Sequence, residues 1–62
     1  MQTSNDHERA IAGVVDRFCV AGKLDASVVD LIVGVLPFSL TESDNYFLVG
    51  YVCWRMDHPI QN

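Results

Sequence analysis

The sequence predicts an all-α fold of three short helices with short turns, assembled as an intertwined or face-to-face homodimer. Three observations lead there. Apolar residues recur at helical spacing through most of the chain. Cap-forming residues and prolines divide that pattern into three segments. Half of the 62 residues are hydrophobic, more than so small an interior can hide. A domain of this length buries only roughly 60% of the surface its unfolded chain exposes. Such chains usually need disulfides, a metal, an unusually well-packed core or a partner subunit. A large exposed apolar patch, in turn, marks an interface. Residues 1–62 therefore read as a single small helical domain, with 1–5 and 59–62 expected to fray. No internal repeat, linker or low-complexity segment interrupts it.

The first helix is expected over about residues 6–21. Asn5 is placed to cap it, with Glu8 three residues later completing a capping-box pattern. Ile11, Val14, Val15, Phe18 and Cys19 then follow at i, i+3, i+4, i+7 and i+8, the stripe of an amphipathic helix. Gly22 suits the left-handed residue that closes a helix. Asp25 or Ser27 can cap a second helix, and Pro37 ends it near Leu36. Leu24, Val28, Leu31, Ile32 and Val35 share one face of it, with Val29, Val33 and Leu36 widening that face. The β-branched richness of this run leaves a buried strand open as the alternative, since periodicity alone does not separate the two. A helix so apolar on all sides is expected to be surrounded by protein. The third helix is expected over about 42–57, opened by Ser39 with Glu42 or by Thr41 with Asp44. Pro59 follows its end.

On the third helix Phe47, Leu48, Tyr51, Val52 and Arg55 form one face, and Tyr46, Val49, Gly50 and Cys53 another. Trp54 and Met56 extend the apolar coverage. Leu31, Ile32, Val35, Phe47, Leu48, Tyr51 and Val52 are thus the candidate core and dimer residues. Trp54, Arg55 and Tyr46 are the candidate partner-binding residues, because Trp, Tyr and Arg are over-represented at interface centres.

Composition weighs against several other function classes. Eight carboxylates stand against four basic residues, a formal charge of −4. Tight DNA binding instead needs clustered Lys and Arg to displace counterions, and Arg9, Arg17, Lys23 and Arg55 are scattered. The polar run Gln2 to Arg9 is unlike a secretory signal, and the longest uncharged stretch, Leu31 to Thr41, is shorter than a membrane span. A cytoplasmic protein without membrane partner is expected. Cys19 and Cys53 do not make a disulfide framework and read as small buried hydrophobes. His7 and His58 read as solvated terminal residues. None of these four has the close ligand pairing of a zinc site, and Gly13, Gly22, Gly34 and Gly50 stand singly, unlike a phosphate loop. No catalytic residue, cofactor, metal or small-molecule substrate is expected.

Several segments carry a family likeness. They are Arg17-Phe18 with Ala21, Leu31-Ile32-Val33 with Leu36, Leu40-Thr41, and the closing run Val52-Cys53-Trp54-Arg55-Met56-Asp57-His58. In this order, over about residues 14–58, the chain resembles the biofilm-development and acid-resistance family of two-component connector proteins. The resemblance implies a helical homodimer that feeds into a phosphorelay and shifts biofilm and stress-response expression, with no catalytic residues. The stretch around Phe38 is shorter than in that family. Glu42-Ser43-Asp44 also replaces a basic residue expected after the Leu-Thr pair.

The leading expectation is a non-catalytic regulator that binds a protein partner in bacterial signalling or transcription. A second reading is an inhibitor or antitoxin of phage or mobile-element type that binds a host protein. The third is a helix-turn-helix DNA-binding module, which Glu42 and Asp44 at the opening of the third helix disfavour.

Overall fold

The structure, a computed structural model, describes the backbone of residues 3–60 and the side chains of residues 6–60. Residues 1–2 and 61–62, part of the segments expected to fray, lie outside the described residues. Three α-helices make the fold: α1 (Thr3–Val20), α2 (Val29–Val35), preceded by a 3₁₀ turn over Ala26–Val28, and α3 (Glu42–Asp57). There is no strand among the described residues, so the 28–36 run is helical.

The helix ends follow local chemistry. α1 begins at Thr3 and not after Asn5, because once a helix is nucleated each added residue brings its own hydrogen bond. Its other end is a Schellman closure: the Gly22 amide donates to the Cys19 carbonyl at 3.0 Å and the Lys23 amide to the Phe18 carbonyl at 2.9 Å. Gly22 has φ +73°, which a side chain would oppose. Asp25 caps the 3₁₀ turn by accepting from the Ser27 amide at 2.9 Å and the Ser27 hydroxyl at 2.6 Å. Leu36 sits at φ −68°, ψ 140°, the extended geometry that the following Pro37 imposes. Of the two capping boxes expected for α3, the one formed is Thr41 with Asp44, each side chain bonded to the other's backbone amide at 3.1 Å.

α1 and α3 run parallel: residue 7 meets 44, 16 meets 51 and 55, and 19 meets 60. α2 packs against both. The core is Ile11 and Val15 from α1, Val28, Ile32 and Leu36 around α2, and Leu48 and Val52 from α3. Each set is spaced by four, one ridge per helix.

α2 departs from expectation in its packing. A seven-residue helix at the edge of a three-helix chain finds neighbours for one stripe only, Val28–Ile32–Leu36. Leu31 (61% exposed) and Val35 (58%) therefore face outward in the single chain, off the face they were expected to share with Val28 and Ile32. Cys53 is exposed and Cys19 half-buried, so neither is the fully buried hydrophobe anticipated. The C-terminal segment does not hang free throughout, since the Ile60 amide donates to Cys19 Sγ at 3.4 Å.

Candidate functional site

Two polar networks tie α1 to α3, and between them they decide which side chains remain free to meet a partner. The first is at the N-terminal end of both helices. His7 Nδ1 donates to Asp44 Oδ2 at 2.7 Å, and the His7 ring stacks on Phe38 with centroids 3.8 Å apart and planes 5° off parallel. Asp44 is only 3% exposed. The Thr41 amide, followed by His7, holds its carboxyl below the ordinary carboxylate range, against the opposing pull of burial. His7 is thus half-buried and engaged, where a solvated terminal residue was expected. The sequence did carry a signal: Asp44, Leu48 and Val52 lie at i, i+4 and i+8, so Asp44 is a carboxylate on the buried ridge. Such a group requires donors.

The second network is built around Arg55. Its Nε donates to Asp16 Oδ1 at 3.2 Å, Nη2 to the Tyr51 hydroxyl at 2.8 Å and Nη1 to the His58 carbonyl at 3.0 Å. Tyr51 in turn donates to Asp16 Oδ1 at 2.9 Å. The Tyr51 and Asp16 contacts push the guanidinium further toward its charged form. Among the described residues no buried side-chain polar atom lacks a partner.

This network sets an aromatic ladder along α3. Ring centroids of Phe47 and Tyr51 are 5.6 Å apart, of Tyr51 and Trp54 5.9 Å, and of Trp54 and His58 4.8 Å. The Arg55 guanidinium lies 4.5 Å from the Trp54 centroid. Trp54 is held between cation and imidazole yet remains 48% exposed.

The candidate residues therefore divide. Ile32, Leu48 and Val52 enter the core, and Phe47 and Tyr51 pack half-buried against it. Leu31 and Val35 lie on the surface. Of the partner-binding candidates, Trp54 is exposed and stacked, whereas Arg55 makes hydrogen bonds within the chain through each of its three nitrogens. Tyr46, 75% exposed, belongs to a different patch. It stands about 12 Å from Trp54 along the helix and roughly 80° around it. Tyr46, Val49 and the flanking Glu42 and Asn45 line a depression open to solvent. Asp16, the shared acceptor of the second network, is 39 residues from Arg55 and was not anticipated.

Among the described residues no three His, Cys, Asp or Glu side chains gather as a metal site would require. No described helix is long and apolar enough to cross a membrane. Comparison with protein families, with curated proteins and with solved structures returns no match.

Proposed function

We propose that this chain is a small non-catalytic regulatory protein that binds a protein partner and modulates bacterial signalling or transcription. Trp54 carries the proposal: a large aromatic, half-exposed, stacked against both Arg55 and His58 within the single chain. Pre-ordering removes the rotamer entropy that an interface must otherwise overcome, about 0.5–1.5 kcal/mol for a side chain. The biofilm and stress-response setting, and the homodimer, come from the family resemblance and from the apolar surface left open on α2 and α3.

The inhibitor or antitoxin reading is favoured by one observation, the net charge of −4. A compact acidic chain is drawn to basic clefts on host proteins. Direct DNA binding is disfavoured by the opening of α3, where Asp44 is buried in a cap and Glu42 faces out.

An affinity pull-down from bacterial lysate, run with and without nuclease and read by mass spectrometry, tests the proposal. The expected result is one protein partner that survives nuclease and is lost with Trp54→Ala. Its identity separates regulator from inhibitor. Partners that vanish with nuclease, or capture indifferent to Trp54, would overturn it.

A further inference from the structure

The part of α1 ahead of Ile11, about two turns of helix, is tied to the rest of the molecule by few side chains. Among those described, Asp6 and Arg9 are exposed, Glu8 is half-buried, and Ala10 packs on the core only in part. His7 is the one that bonds to another element. Its Nδ1 reaches Asp44 Oδ2 at 2.7 Å, while its ring covers one face of Phe38 with centroids 3.8 Å apart. Asp44 is 3% exposed beneath an imidazole that is itself 27% exposed. Among the described residues no lysine or arginine is bonded to this carboxylate, so the charge it meets is set by His7.

We infer that the His7–Asp44 contact is a pH-sensitive latch, which fastens the start of α1 to the start of α3 when the imidazole is charged and loosens when it is neutral. Histidine is the side chain whose charge ordinarily changes between about pH 5 and 8. When protonated, His7 donates from Nδ1 to Asp44 as a charge-assisted bond between opposite charges, one of them buried. When neutral, it donates only in the tautomer that keeps its proton on Nδ1, and the bond then has one charge in place of two. The contact is therefore strongest where Asp44 is ionised and His7 is protonated, and it weakens as pH rises through the histidine range. His7 also helps to hold the Asp44 carboxyl below the ordinary range, after the Thr41 amide, so the two groups are coupled. The charged groups of the surrounding elements are few. On α3 these are Asp44 and the exposed Glu42 two residues before it. The connection from residue 36 to residue 41 carries no ionisable side chain. α2 carries Asp30, at the end away from Phe38. On α1 the neighbours of His7 are Asp6, Glu8 and Arg9. Release uncovers the face of Phe38 that the imidazole shields, so the open form differs from the closed one in apolar surface as well as in helix order. The latch lies about 15 Å along α3 from Trp54 and does not depend on what binds there.

Hydrogen exchange of the purified chain, followed by NMR between about pH 5.5 and 8 and corrected for intrinsic exchange rates, is the test. Protection of the amides of residues 7–11 should fall as pH rises, by roughly threefold to tenfold, the difference between a charge-assisted and a neutral hydrogen bond. These amides should stay less protected than those of Leu48 and Val52 throughout, as a local opening requires. His7→Gln keeps an amide donor but no titrating ring, and it should remove most of the fall. Asp44→Asn removes the buried charge and should do the same. His58, the other histidine of the chain, is common to all three proteins and cancels in the comparison. The midpoint of urea denaturation should fall over the same interval in the native chain and lose that slope in both variants. Protection that is flat or rises with pH, or an equal fall in either variant, would overturn the inference.

Discussion

Asp44 concentrates more of the fold into one side chain than any other residue. It closes the α3 capping box, receives His7 from α1 and sits on the buried ridge. Its folded carboxyl is held below the ordinary carboxylate value, so it favours the folded state wherever the unfolded carboxyl has ionised. That contribution is fully present above the unfolded value and is lost as pH falls through the lower folded value. Denaturation midpoints should therefore drop as pH is lowered below about 4, and Asp44→Asn should flatten this acid limb. Asp25 is also lowered, by the Ser27 hydroxyl first and the Ser27 amide next, so part of the limb should survive in Asp44→Asn and vanish with Asp25→Asn added. An unaltered acid limb in the double variant would place the titrating groups elsewhere. Core and surface are also separable at single residues. Leu48→Ala opens a cavity at a fully buried site and should cost about 2–5 kcal/mol by urea denaturation. Leu31→Asp, at an exposed position, should leave the single-chain fold intact. Loss of helical circular dichroism in Leu31→Asp would mean that α2 is covered more completely than the single chain shows.

The elements show where sequence reasoning succeeds and where it stops. α3 was legible at both ends, because one of its two possible capping boxes, Thr41–Asp44, forms and the chain beyond it reaches Pro59 within two residues. The close of α1 at Gly22 was legible for the same reason, a left-handed position that one residue type fills readily. Gly22→Ala should consequently lose about 1 kcal/mol, read as a lowered urea midpoint, although the site has open space for the methyl. An unchanged midpoint would show that the Schellman bonds do not depend on that conformation. α2 was legible as an element but not in its orientation. Leu31 and Ile32 are adjacent and equally apolar, and only the positions of α1 and α3 decide that Ile32 is buried and Leu31 is not. The candidate site divides similarly. Tyr46 and Trp54, named as partner-binding candidates because such residues are over-represented at interface centres, do lie on the surface. Asp16 and His7 were not legible, since each joins a residue more than thirty positions away, beyond any local pattern.

On the scale of the molecule, the described residues of this 62-residue chain leave eight large hydrophobic side chains exposed while the core holds seven. Domains of this size are marginal, so even a weak contact between copies contributes appreciably to the total stability. Association that favours only the folded state adds stability by mass action, and the melting temperature then depends on protein concentration. A melting temperature that rises with concentration is therefore expected for the native chain. Tyr46→Asp should remove the rise yet melt at the native temperature in dilute solution, because Tyr46 contributes nothing to the single-chain core. Trp54→Ala should keep the concentration dependence, since Trp54 stands on the Arg55–His58 side of α3 and away from the Tyr46–Val49 patch. The pair of variants thus assigns each patch its own role. If both abolished the rise, the Tyr46 patch and the ladder would form one continuous interface, and self-association would use the surface proposed for a foreign partner. If neither did, the exposed α2 residues Leu31 and Val35 would become the next surface to test by the same dilution series.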